Sequence, residues 1–156
     1  MRQVERIVPG LAVDAGRPVS HRVRAWALVA GVATALLGAW AFFFPQSFFE
    51  DFPVEGAHWV STLGRFNDHL MRDYGGAQVG LGIAAILVAL RRSSMGIAAV
   101  MTGFIAFGTL HLGYHFTTFG LFAPGSAASQ AIALTLFVVI PFAVLRAIQT
   151  RKESEK

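Results

Sequence analysis

The sequence predicts an all-α polytopic membrane protein, a four-transmembrane-helix bundle with both termini cytoplasmic. Three observations carry this expectation. Hydrophobic residues make up 54% of the 156-residue chain and charged residues 14%, against about 25% charged in an ordinary soluble domain; the mean hydropathy is +0.56. Four apolar runs, over 25–44, 70–90, 95–116 and 127–145, each match the roughly 20 helical residues needed to cross about 30 Å of hydrocarbon. None shows the two-residue alternation of a barrel strand. Finally, 11 of the 13 Lys and Arg residues flank these runs on one side, at 2, 6, 17, 22 and 24, at 91 and 92, and at 146, 151, 152 and 156. The opposite side carries Arg65 and Arg72 against Glu50, Asp51, Glu55, Asp68 and Asp73, so the positive-inside rule places both termini in the cytoplasm of a bacterial inner-membrane protein. This arrangement reads the net charge of +4 as topology and leaves nucleic acid out as a partner.

The chain divides into a basic cytoplasmic tail over 1–20, a membrane domain over 21–147 and a charged cytoplasmic tail over 148–156. Pro9, Gly10, Gly16 and Pro18 argue against a continuous helix in the first tail. Ser20 is positioned to cap the first span, with Trp26 at the inner interface. Ala39-Trp-Ala41 has the form of a signal-peptide cleavage site, but the charged leader is long and the apolar run continues through Phe44. The expectation is an uncleaved span.

The connection over 45–69 is the longest. Phe48, Phe49, Phe52, Trp59 and Phe66 predict that it lies in the headgroup region, with a short interfacial helix over 56–64. The many outer Phe residues read either as an aromatic belt or as the lining of a pocket for an apolar ligand such as a quinone or lipid. Arg91-Arg-Ser-Ser94 is short, so the second and third spans should be antiparallel neighbours. Gly76, Gly80 and Ala84 on the second span, with Gly82 beside them, and Gly96, Ala99 and Gly103 on the third form small-residue ridges that predict close helix packing. Pro141 is expected to kink the fourth span, which membrane helices tolerate.

The chemistry-bearing residues concentrate in two segments, His69-Leu-Met-Arg-Asp73 and His111-Leu-Gly-Tyr-His115. Ionisable groups are costly in lipid. Counted from the inner turn at about 1.5 Å per residue, His69 is level with His115, and Asp73 with His111, to within about one residue. Residues four apart share a helix face. The expectation is therefore one outer cluster of three imidazoles and a carboxylate. Such a set suits Zn²⁺, Mn²⁺ or iron, and two histidines on neighbouring helices could hold a haem. Asp68 and Arg72, at i, i+4, and Tyr114 would organise it from outside. The absence of cysteine removes thiolate ligands and disulfides.

Two other readings of the same residues stay open. One is a proton-coupled small-molecule carrier, since histidine titrates near neutral pH and an intramembrane Asp can extend a relay. The other is a non-enzymatic accessory or assembly subunit, a homo-oligomer or part of a larger membrane complex, in which the cluster is an interhelical hydrogen-bond network. No nucleophile elbow, phosphate-binding glycine loop or HExxH motif is present, so the sequence does not decide whether the chain is an enzyme. Gln78, about 140° around the helix from Asp73, is expected to bond another helix.

The stretch Arg72-Asp-Tyr-Gly-Gly-Ala-Gln-Val-Gly-Leu-Gly82, opening the second of four short spans, resembles small bacterial four-helix membrane families of the DoxX-like and unknown-function kind. In these an Arg and small residues begin a glycine-rich helix. The resemblance implies the four-span layout, and a link to quinone-related or thiosulfate oxidation for some members of that broad group.

Overall fold

The computed structural model describes residues 19–153, with side chains to 150. The expected tail over 1–20 lies almost wholly outside the described residues, as do 154–156. Regular structure among the described residues is entirely helical: α1 (His21–Phe43), α2 (Pro45–Asp51), α3 (Asp68–Leu90), α4 (Ser94–Thr118) and α5 (Pro124–Glu153), with single 3-10 turns at Ser61–Leu63 and Phe119–Leu121. α1, α3, α4 and α5 are each long and apolar enough to cross a membrane. The chain thus has the build of a multi-pass, four-helix membrane protein.

Helix starts are set by side chains that accept first-turn N–H groups. Ser20 accepts from Val23 at 3.3 Å, Asn67 from Leu70 at 3.0 Å and Ser93 from Gly96 at 3.0 Å. These N–H groups have no intrahelical partner, and leaving them unmade costs most where water is scarce. Arg92, at φ 53°, turns the chain between α3 and α4. One end of the bundle therefore carries Arg22, Arg24, Arg91, Arg92 and Arg146, and is called the basic end below. The opposite end, closed by the connection over 44–67, is the loop end.

The helices associate as two antiparallel pairs. α3 packs most extensively on α1, and α4 on α5, whereas α3 and α4 meet less although the shortest turn joins them. Glycines set the first interface. A Cβ on Gly38 would lie 2.6 Å from the Gly75 carbonyl oxygen, and one on Gly82 would lie 2.6 Å from the Ala35 nitrogen. Gly31 and Gly75 make the reciprocal contacts, so backbone meets backbone along the pair. The expected ridge of Gly76 and Gly80 is on another face: among the described residues Gly76 meets only the Phe42 ring, at 3.7 Å, and Gly80 meets nothing within 4 Å. Close packing uses Gly75 and Gly82, seven residues apart. Similarly Gly103 has no neighbour within 4 Å, while Gly96 lies against Val88.

The two pairs are joined mainly in the half near the basic end. Val23, Ala27, Ala85, Ala89, Ile97, Met101, Phe104 and Val144 form one buried cluster there, with Ile97, Met101 and Phe104 essentially inaccessible. At the loop end the connection departs from expectation. The helix is α2, started by Pro45 at its first position, and residues 56–64 contain only the 3-10 turn. Pro at that position costs no hydrogen bond and presets φ, which favours a helix at 45. The segment folds back on α1 and α3: Trp40 donates through Nε1 to Ser47 at 3.2 Å, Ser47 donates to Asp51 at 3.1 Å, and the Phe48 ring packs against Trp40 and Tyr74 at 5.5 and 6.0 Å.

Candidate functional site

Where the helix pairs separate towards the loop end, they enclose a cavity of about 390 Å³. This is within the range of about 300–1,000 Å³ usual for small-molecule sites. α1 and α3 supply one wall, with Thr34, Leu37, Tyr74 and Gln78; α4 and α5 supply the other, with Phe107, His111, His115, Gln130 and Phe137. Phe48, Phe52, Trp59, Val60 and Leu63 from the long connection form a roof. Mutually perpendicular and tilted rings hold this roof together, Phe52 lying 4.9 Å from Phe48 and 6.0 Å from Trp59.

The histidines of α4 take their positions from helix geometry. His111 and His115, one turn apart, stand edge to face with ring centres 4.8 Å apart, and Phe107 stacks on His111 at 5.5 Å. His115 is buried, at 6% exposure, and its Nδ1 has no hydrogen-bond partner among the described residues. Across the α4–α5 interface Gln130 is 1% exposed, and both its amide oxygen and its amide nitrogen are likewise unpartnered. The two side chains approach each other closely enough for a weak hydrogen-bonding interaction, without the geometry of a well-made bond. On the opposite wall Gln78 is buried and engages the Tyr74 hydroxyl. Buried polar groups normally find partners, and one left unmet costs about 1–3 kcal/mol. Three such atoms lining an apolar cavity are therefore a specific feature.

His69 and Asp73 are elsewhere. They pair with each other, Nε2 to Oδ2, at 3.2 Å, and their side chains are 87% and 64% exposed. The expected convergence of His69, Asp73, His111 and His115 does not occur: among the described residues no three His, Asp or Glu side chains are grouped to hold a metal ion. Rotation is the physical reason. α3 turns Gly75, Gln78, Gly82, Ala85 and Ala89 inward. Asp73 precedes Gly82 by nine residues, about 180° around the helix at roughly 100° per residue. His69, Asp73, Gly76 and Gly80 make one stripe, and it faces away from the bundle.

Asp68 and Arg72 are placed differently from the role expected of them. Arg72 donates through Nε to Asp68 at 2.9 Å and through Nη1 to the Phe42 carbonyl at 2.7 Å. A carbonyl in the last turn of α1, which has no helical partner, is thereby satisfied from α3. Tyr114 lies at the edge of the cavity and is half exposed. Gln130 and Tyr74 carry no weight in a pattern search for ligands, yet both line the site. The usable signal for Gln130 is an isolated amide within an apolar helix.

Comparison of the chain with protein-family models, with curated proteins and with solved structures finds no match.

Proposed function

We propose that the chain is a membrane-embedded binding protein for a neutral, oxygen-bearing aromatic ring of the quinone or hydroquinone class, held between the two helix pairs. The observation that carries this reading is the group of unpartnered polar atoms, His115 Nδ1 and the Gln130 amide, on the wall of an aromatic cavity. An imidazole and a primary amide can each donate or accept, which suits the carbonyl and hydroxyl oxygens of the two redox forms alike. Phe48, Phe52, Phe107 and Phe137 offer faces and edges for a flat ring. Among the described residues no Lys or Arg lines the cavity, which argues against a phospholipid headgroup, whose phosphate calls for cations. A metal or haem in the same place would rest on His111 and His115 of a single helix, fewer protein ligands than the three usual for a catalytic zinc. The placement of basic residues supports an orientation with the basic end cytoplasmic and the cavity in the outer leaflet.

Trp59 in the roof and Trp40 packed beside it supply the readout, because quinones quench indole fluorescence, over a background from Trp26 at the basic end. Decylubiquinone added to the purified protein in detergent should quench saturably, and Gln130→Leu or His115→Phe should each weaken half-saturation at least tenfold. His69→Ala, on the outward stripe, should bind as wild type. Quenching that does not saturate, or that is identical in Gln130→Leu, would remove the proposal.

A further inference from the structure

We infer that the ligand reaches the cavity sideways from the bilayer, through a portal between α1 and α5 framed by Ala33 and Ala133, and that an apolar tail on the ligand occupies this portal. The inference rests on the binding role proposed above. The cavity has six boundaries, and four are closed by named contacts. The roof covers the loop end. Met101 and Phe104, fully buried, fill the bundle below. The α1–α3 wall is sealed by backbone contact at Gly38 and Gly75, and the α4–α5 wall by Gly108 against Phe137 and Val138, at 2.9 Å from a Cβ position.

What remains are the two seams between the pairs, and they differ in size of side chain. At the cavity, the α3–α4 seam carries Met71, Tyr74, His111 and Tyr114. The α1–α5 seam carries Ala33 and Ala133, methyl side chains that line the cavity and are also exposed on the helix surface. Tyr114 at the other seam also lines the cavity and reaches the surface, but a phenol ring fills its seam, whereas two methyl groups do not fill theirs. Leu134, one residue from Ala133, continues the apolar lining inward.

Depth supports a tail in this mouth. Ala33 lies ten residues before the end of α1 and Ala133 nine after the start of α5, about 15 Å from the loop end at 1.5 Å per residue. That is the mid-plane of about 30 Å of hydrocarbon. Gln130 and His115 lie closer to the loop end, within about 9 Å of it. A ring bound at their level, with its tail leaving at the alanines, has the head-outward, tail-inward orientation of an amphiphile in that leaflet.

The test compares decylubiquinone with its tail-less counterpart, 2,3-dimethoxy-5-methyl-1,4-benzoquinone, by tryptophan quenching in wild type, Ala33→Phe, Ala133→Phe and Ala133→Leu. Each Phe variant should weaken the decyl compound at least tenfold at equilibrium and the tail-less compound less than twofold, with Ala133→Leu intermediate. Leu110→Phe, on the exposed face of α4 and outside the cavity lining, should leave both unchanged. Melting in detergent identifies any variant that has not folded, and Ala133→Leu, the smallest change, still decides. Normal decyl binding in the alanine variants, equal losses for both compounds, or a tail-selective loss in Leu110→Phe would overturn the portal while leaving the binding role intact. Wild type that binds neither compound would overturn both.

Discussion

The α1–α3 interface and the seam between the two helix pairs are built on opposite principles. At the first, Gly31, Gly38, Gly75 and Gly82 let the backbones touch along the stretch from 31 to 42 of α1, too close for any added side chain. At the second, Met101, Phe104 and their neighbours join the pairs near the basic end, while rings and polar side chains hold them apart near the loop end. Lipid tails are as apolar as leucine, so helix association in a membrane depends on fit instead of on expulsion of water. The contrast teaches that one interface of this bundle spends its fit on rigidity and the other leaves room for a guest.

Replacing Gly75 should break the contrast most severely. A Cβ there lies 2.5 Å from the Phe42 nitrogen and 2.7 Å from the Gly38 carbonyl oxygen, and backbone atoms cannot swing aside. Gly75→Val should cost at least about 3 kcal/mol, read as loss of a cooperative melt in detergent. Gln130→Leu should act in the opposite direction. Removing a buried amide with unmade hydrogen bonds should raise stability by about 1–3 kcal/mol while binding in the cavity is lost; a variant that melts lower than wild type would mean that Gln130 is a structural bridge. The smallest effect is expected at Gly80, where nothing lies within 4 Å. Gly80→Ala should stabilise by about 0.5–1 kcal/mol or less, and a large loss would reveal a partner packed on that stripe.

Length and hydropathy made the four long helices legible, and capping chemistry made Ser20 legible as a helix start. Local spacing also carried through: His69 and Asp73, four apart, do pair. What the sequence could not convey was the rotation of each helix about its axis. Apolar residues surround all four spans, so no amphipathic stripe marks the inward face. Matching the histidine and carboxylate pairs by depth used only the rise per residue, and α3 turns that pair outward by about half a turn. The same rotation carries Gly76 and Gly80 outward and brings Gly75, Gln78 and Gly82 in. In the long connection, aromatic content signalled a place in the headgroup region but not the fold-back that makes Phe48, Phe52 and Trp59 a roof, because that depends on contacts with Trp40 and Tyr74 distant in sequence.

The anchoring of the roof has a mechanical consequence. Its ties run to one helix pair: Ser47 and Phe48 to Trp40 of α1, Phe48 to Tyr74 of α3, and Arg72 of α3 to the Phe42 carbonyl just before the roof begins. α1, α3 and the roof are therefore one piece, like a palate with its upper jaw, and α4 with α5 is the piece that faces it. Any rocking of one pair against the other changes the gap beneath the roof without bending the roof itself, so the bite of the molecule is set by two rigid parts and the seam they share.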